Sequence, residues 1–413
     1  MKVEEITGTQ AVIAQEKKYG AHNYSPLPVV LTKGEGVYLW DIEGNRYFDF
    51  LSAYSAVNQG HCHPKIIGAM TAQASRLSLT SRAFYNDKLG EAEEYICRYF
   101  GYDKALFMNS GSEAVETAIK LVRKWAYVKK GISPNTAVIL AAERNFHGRT
   151  TGIISFSTDP SSTDGFGPAN PGYQVIPYND LQALENELIR QPQICGFLVE
   201  PIQGEAGVLI PDEGYLKKAH ELCKKYNVKL ITDEIQTGIG RTGKMLAAYY
   251  DDVHADILIV GKALSGGVLP VSAVLCDDEI MLCIRPGEHG STFGGNPIAA
   301  AVTIASMEVM VEEKLTENAF AMGLVFRERM SALQAKRPGL ISAVRGKGLL
   351  NAIDITPSLD YGSASDVCLS LMKKGLLCKA THQHTIRFSP PLVITETQIQ
   401  ECCDIIENVI LSI

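Results

Sequence analysis

Short apolar runs that alternate with helical patterns constrain this chain more than any other feature. The runs are ALFM (105–108), AVILA (137–141), QVI (174–176), CGFLV (195–199), VKLIT (228–232), DILIV (256–260) and VSAVL (271–275). Between several of them lie SEAVETAIKLVRKWAY, DLQALENELIR and EGYLKKAHELCKKY, whose apolar residues recur at helical spacing. Continuous apolar strands alternating with helices predict an α/β fold with a mostly parallel central sheet covered by helices on both faces. In such sheets ligands bind at the carboxyl ends of the strands, so the search for chemistry starts there.

The flanks read differently. The first fifty residues resemble short strands joined by turns (GVYLWDIEGNRYFDF), and beyond about residue 306 the pattern becomes helical and then mixed. Residues 51–305 are therefore expected to form a large domain, with 1–50 and 306–413 together making a smaller α+β domain, a division that the length of 413 residues favours. The last segment opens with a capping box, Thr395 and Gln398, and repeats apolar residues at Ile399, Cys402, Ile406, Val409 and Ile413. That stripe belongs to a core.

Composition narrows the partners. Net charge is −7, charged residues make up 21%, and no block of about five or more like charges occurs, so nucleic acid and acidic membrane surfaces are not expected partners. Small-molecule substrates are. No apolar stretch reaches the ~18 residues that span a bilayer, and MKVEEITGTQ has neither an apolar signal core nor an Arg-rich, acid-poor character; a cytoplasmic location is the expectation. The 10 cysteines form no CxxC pair and sit mostly in apolar runs, the pattern of reduced, buried thiols. GHCHP clusters His61, Cys62 and His63, but neighbours on an extended chain point to opposite sides, and no metal site is expected.

Two strand ends carry candidate chemistry. VKLITDEIQ puts Asp233 at the end of one predicted strand, and LIVGKALSGG puts Lys262 just past the next, so both reach one rim of the sheet. Alone, such a pair reads as a structural ion pair. SGSEAVETAIK, after ALFM, has Ser110 and Glu113 spaced as a capping box, with Gly111 free to let a phosphate approach the helix N-terminus. Alone, that is an ordinary helix start. Together, a phosphate grip, a carboxylate able to keep a ring nitrogen protonated and a lysine able to condense with an aldehyde are what pyridoxal phosphate requires. A rival signal, GIGRTGK at 238–244, resembles a nucleotide loop, but Met245 stands where a magnesium-ligating Ser or Thr is needed, and Asp256 precedes its strand instead of ending it.

With those residues in place, the chain resembles the class III, fold type I, pyridoxal-phosphate-dependent aminotransferases, in the branch that acts on ornithine. The likeness runs through YGAHNY, SAVNQGHCHP, SRAFYND, VEPIQGEAGV, DEIQTGIGRTGK, GKALSGG, PGEHGSTFGGNP, RGKGLLNAI and IRFSPPLVI, nearly the whole chain. It implies that Lys262 binds the cofactor's aldehyde, Asp233 partners the pyridine nitrogen, and Gln236 donates to the phenolic oxygen. Gly111 and Ser112 hold the phosphate, with Ser291 and Thr292 reaching over from a second subunit of a homodimer with shared active sites. Phe146 stacks on the ring. Arg149 takes a distant substrate carboxylate, Tyr24 and Tyr54 shape the ornithine end, and Glu205 masks Arg387 until glutamate or 2-oxoglutarate arrives. Ser112 and His147 depart from other members. The implied reaction moves the δ-amino group of L-ornithine to 2-oxoglutarate. Acetylornithine or 4-aminobutyrate as substrate, a nucleotide-binding protein built on GIGRTGK, and a non-catalytic descendant are the alternatives.

Overall fold

The computed structural model describes residues 8–357 and 362–413. The early turn-rich segment forms an antiparallel meander of β1 (Leu31–Glu35), β2 (Tyr38–Asp41) and β3 (Arg46–Asp49). The seven apolar runs become β4 (Lys104–Met108), β5 (Val138–Ala142), β6 (Tyr173–Ile176), β7 (Ile194–Val199), β8 (Lys229–Asp233), β9 (Ile257–Val260) and β10 (Ser272–Cys276). They join in one sheet of order β4-β10-β9-β8-β7-β5-β6.

That sheet is parallel except at β10, which runs antiparallel to both neighbours. The cause is local. Parallel neighbours need a crossover of about a dozen residues or more, usually helical. Residues 261–271 instead hold one 3₁₀ turn, Lys262–Ser265, followed by Gly266 and Gly267 at positive φ, and the chain simply reverses. The turn that reverses the chain is the one that carries Lys262.

Both faces of the sheet are covered, as continuous apolar strands require. Ile231 and Ile139 pack with the helix Gly111–Trp125 on one side, whereas Leu230, Leu140 and Phe197 meet the helices Leu181–Arg190 and Tyr215–Lys225 on the other. Each such Leu, Ile or Phe contributes about 1.5–3 kcal/mol on burial.

The remaining strands are β11 (Ile341–Lys347), β12 (Leu350–Ile355), β13 (Leu376–Leu377), β14 (Lys379–Thr381) and β15 (Thr385–Phe388). β13 extends the N-terminal meander, parallel to β3, and the other four form a sheet of order β11-β12-β15-β14. Thr395 caps the last helix, Glu396–Leu411, by accepting from the Gln398 N–H while the Gln398 side chain accepts from the Thr395 N–H. Ile399, Cys402, Ile406 and Val409 of that helix are buried, and Ile413 packs against the same core.

Candidate active site

β8 and β9 are adjacent and parallel, with Asp233 paired to Ile259, so Asp233 and Lys262 leave the sheet at the same edge. Both line a cavity of about 690 Å³. Lys262 adopts a left-handed backbone (φ 44°) at the start of its 3₁₀ turn, a conformation costly for a side-chain-bearing residue and often kept where a group must be aimed. Its Nζ makes no hydrogen bond or ion pair among the described residues. Burial lowers its pKa, with the Glu205, Asp233 and Glu200 carboxylates opposing, which favours the neutral amine over an ordinary lysine's ammonium.

Asp233 does not pair with that lysine because both its oxygens are engaged. Oδ2 lies 2.7 Å from His147 Nδ1, and Oδ1 accepts the Ile235 N–H at 3.1 Å. Burial alone pulls the His147 ring down, but the Asp233 hydrogen bond and charge outweigh it and raise its pKa. Beside them Glu200 accepts the Phe146 N–H at 3.0 Å; burial, opposed by His147 and reinforced by Asp233, pushes its carboxyl up to about 8. Glu200 and His147 were not assigned roles from sequence. The signal for His147 was its place beside Phe146 in NFHGRT, but its partner lies 86 residues away.

At the start of the helix Gly111–Trp125, the capping box leaves two N–H donors unused. Ser110 Oγ accepts the Glu113 N–H at 3.2 Å and Glu113 accepts the Ser110 N–H at 2.8 Å, whereas the N–H groups of Gly111 and Ser112 have no partner among the described residues. Those two donors, at the positive end of the helix, line the cavity. Ser291 Oγ accepts from Asn109 Nδ2 at 2.9 Å within the same chain, Thr292 is exposed, and neither lines the cavity.

The substrate side holds the second charge pair. Glu205 grips Arg387 with both oxygens, at 2.7 and 3.1 Å, and also accepts from Gln236 Nε2 at 2.9 Å. Gln236 Nε2 is therefore engaged by Glu205, and its Oε1 has no partner. Burial would raise the Glu205 carboxyl, but Arg387, by charge and hydrogen bond, and then Gln236 hold it below its usual range. The Tyr54 ring lies 5.2 Å from the Arg387 guanidinium, and Arg149 lies 5.6 Å from the Phe146 ring. Tyr54, Arg149, Glu205 and Arg387 line an adjoining cavity of about 510 Å³. Tyr24 stands at the cavity edge, 72% exposed.

Two motifs turn out structural. In GIGRTGK, Arg241 is fully buried; its guanidinium donates to the carbonyls of Leu349 (2.9 Å) and Pro390 (2.6 Å) and to Asn58 Oδ1 (2.6 Å), joining distant segments. In GHCHP, His61 bonds Asp49 at 2.7 Å and His63 bonds Glu313 at 2.8 Å.

An α/β sheet whose rim holds a buried unpaired lysine, an oriented carboxylate and free N–H groups defines a cofactor-dependent transferase site. The family model described as aminotransferase class-III matches residues 19–410, and the chain belongs to that family. It is 61% identical over 404 residues to the ornithine aminotransferase, mitochondrial, of Drosophila melanogaster, covering 98% of this chain and 92% of the relative. Among solved structures, the ornithine aminotransferase from Toxoplasma gondii is 44% identical with a TM-score of 0.96, covering 100% and 99% of the two chains. The acetylornithine aminotransferase from Elizabethkingia anophelis is 55% identical with a TM-score of 0.90, covering 98% and 99%.

The cofactor of this class is pyridoxal phosphate, and the residues present fit it. Gly111 and Ser112 offer free donors for a phosphate, Lys262 an unpaired amine for an aldehyde, and Gln236 Oε1 and His147 Nε2 are buried polar atoms without partners. Side chains at the glycines would crowd the cradle: a Cβ at Gly111 would press on Ile235, and one at Gly148 would collide with Ser112. No helix among the described residues is long and apolar enough to cross a membrane.

Proposed function

We propose that this chain transfers the δ-amino group of L-ornithine to 2-oxoglutarate, giving glutamate 5-semialdehyde and L-glutamate in two half-reactions at one cavity. The observation that carries this reading is the closed Glu205–Arg387 pair, whose Glu205 lines both the cavity of the unpaired Lys262 and the adjoining cavity of Arg387. The printed names of the D. melanogaster and T. gondii proteins support it.

When bound, pyridoxal phosphate supplies an aldehyde with which amines condense and a ring that takes up the electron pair of the adjacent carbon. Lys262 Nζ would hold that aldehyde. An ordinary lysine, near pKa 10.4, is neutral in roughly one molecule per few thousand at pH 7, and burial at the strand end raises that fraction. The buried, unpaired Lys262 amine would also be the base that moves a proton at the substrate carbon. Asp233, fixed by His147, would partner the pyridine nitrogen. Phe146 would cover the ring, and Gly111 and Ser112 would grip the phosphate, with Gln236 toward the phenolic oxygen.

Glu205 decides which amine is presented. A free guanidinium at Arg387 would capture the α-carboxylate of ornithine and place the wrong nitrogen at Lys262; the closed pair leaves that carboxylate to Arg149, with Tyr24 and Tyr54 shaping the pocket. Leaving a buried arginine unpaired costs about 3–5 kcal/mol, but 2-oxoglutarate brings a carboxylate that takes the place of Glu205. One cavity thereby accepts two unlike substrates.

The active unit in this reading is a homodimer in which Ser291 and Thr292 complete the neighbouring phosphate site; the exposure of Thr292, Phe293 and Tyr85 (95% for Tyr85) supports it. Residues 51–305 form the cofactor lobe, and 1–50 with 306–413 the smaller lobe, a division supported by the placement of the three sheets. The location is cytoplasmic in this reading, whereas the D. melanogaster relative is named mitochondrial; cell fractionation decides.

Coupled detection of the semialdehyde, with ornithine and 2-oxoglutarate as sole substrates, tests the function. The likeness to the E. anophelis protein favours acetylornithine as the second reading. A panel of ornithine, acetylornithine and 4-aminobutyrate separates them: ornithine at the highest kcat/KM upholds the proposal.

A further inference from the structure

Glu205 sits at the tip of a tight loop. Gln203 and Leu209 bond each other in both directions, at 3.1 and 2.9 Å, and close its base. Within it Gly207 adopts φ 106° and Val208 φ 58°. Left-handed backbone is a true outlier for a β-branched residue, so something must hold Val208 there.

Arg345 on β11 does so. Its Nε and Nη2 donate to the Gly207 carbonyl at 2.8 and 2.6 Å, and Nε reaches the Val208 carbonyl at 3.2 Å. Asp354 on β12 clasps the same guanidinium at 2.6 and 2.9 Å and is itself held by Thr385 Oγ1 at 2.6 Å. From the other side Arg144 donates to the Ala206 carbonyl at 3.1 Å.

The register makes this arrangement more than a brace. Arg345 pairs with Ala352, and Ala352 pairs with Arg387, so the two arginines stand in one row across three strands. Directly paired residues project to the same face of a sheet, and next-but-one strands lie about 9.6 Å apart. One arginine of the row binds the Glu205 carboxylate and the other binds the backbone that carries it. Loop and target are thus mounted on one rigid sheet.

We infer that Arg345, oriented by Asp354, is a positioning residue for substrate selection: it fixes the Glu205 loop against the sheet of Arg387 and sets how readily Glu205 gives way to a substrate carboxylate. This rests on the gate described under the proposed function. With the loop fixed in advance, closing the ion pair requires ordering of only one side chain; with the loop released, closure also requires ordering of backbone, and Arg387 is unmasked more often.

The test is the ratio of the glutamate to the ornithine half-reaction rates, by stopped flow, in Arg345→Met, Arg345→Lys and Asp354→Asn, each alone and with Glu205→Ala. Arg345→Met raises the ratio about 3- to 10-fold, the size expected for one or two ordinary hydrogen bonds; Lys, charged but lacking the fork, gives a smaller rise. In the Glu205→Ala background these changes vanish, because no gate is left to position. A merely structural arginine lowers both half-reactions alike and leaves the ratio unmoved, which overturns the inference, as does an equal shift with and without Glu205. Amide hydrogen exchange of the holoenzyme gives a second readout: Gln203 and Leu209 exchange faster in Arg345→Met, and unchanged protection there also counts against it. Asp354→Asn keeps the test open if Arg345→Met does not fold. Failure of the wild type to turn over ornithine sinks the functional reading instead, and leaves the exchange result to judge the clamp.

Discussion

Two adjoining cavities hold two sets of opposite charges that are treated in opposite ways. At the sheet rim, Asp233 and Lys262 line one wall, yet the carboxylate bonds His147 and the Ile235 N–H while the lysine has no partner. In the adjoining cavity, Glu205 gives both oxygens to Arg387. The difference lies in what else each carboxylate touches. His147 and the Ile235 N–H engage both Asp233 oxygens and leave Lys262 unpaired; Gln236 also donates to Glu205, but both Glu205 oxygens still reach Arg387. Proximity of opposite charges does not by itself make an ion pair.

The largest break in this comparison comes from the unpaired side. Lys262→Ala abolishes turnover, by ~10⁴-fold or more since base and covalent carrier are lost together, while cofactor still binds through its phosphate. Borohydride reduction of the wild type with peptide mapping places the label on Lys262; a label on another lysine reverses the assignment.

Removing the withdrawing partnership comes next. Asp233→Asn removes the hydrogen bond and charge that outweigh burial and leaves only Glu200 opposing it, so the His147 pKa falls instead of rising. In the wild type the folded value lies above the unfolded value of about 6.5, so this group's stabilisation is full below about pH 6.5 and fades as pH rises through the folded value. In the variant the sign reverses, because a ring whose folded pKa is lowered makes the fold less stable as pH drops below about 6.5. Breaking such a buried pair costs about 3–5 kcal/mol, and a rate loss of roughly 100- to 1,000-fold follows where Asp233 supports the ring. NMR titration of the His147 ring and unfolding midpoints across pH 5–9 check both parts.

The two sides also differed in how far the sequence disclosed them. Lys262 and Asp233 were legible because each closes an apolar run, and strand polarity alone sends both to one edge. The reversal at β10 was not, because a glycine-rich turn and a crossover are told apart only by counting the residues between strands. His147 with Asp233, Gln236 with Glu205, and Arg345 with Gly207 were illegible because each joins segments by side-chain reach across 86, 31 and 138 positions, for which no periodicity exists. The left-handed run Ser52–Ser55 was hidden for a different reason: SAYS contains no glycine to announce it.

On the paired side, Glu205→Ala unmasks Arg387. The glutamate half-reaction gains on the ornithine half-reaction by roughly 10- to 100-fold, as expected when a charge-assisted hydrogen bond of about 1.5–3 kcal/mol is lost. An unchanged ratio in stopped-flow measurements would mean that the pair is structural and that the two sides of the cavity do not differ in kind.

The smallest effect tests how the paired side is held. Tyr54, whose ring lies under Arg387, belongs to four consecutive residues at positive φ, from Ser52 (49°) to Ser55 (73°). Each side-chain-bearing residue in left-handed helix costs roughly 1–2 kcal/mol, so the turn needs outside support. Asp49 supplies it: Oδ1 accepts the N–H groups of Leu51 and Ser52 at 2.8 Å each, while His61 steadies Oδ2 at 2.7 Å. Ala53 is exposed, so its methyl group packs little and its strain can be removed separately. Ala53→Gly relieves that strain, offset in part by about 0.4–1 kcal/mol of added unfolded-state entropy. The net gain of about 0.5–1 kcal/mol raises the unfolding midpoint by about 1–2 °C. KM for ornithine stays within twofold, because Asp49 and His61, and not the strain itself, keep Tyr54 in place. A rise in KM with a gain in stability would instead assign the aiming of Tyr54 to the strained backbone, as at Lys262, and would make the two walls of the cavity alike in that respect.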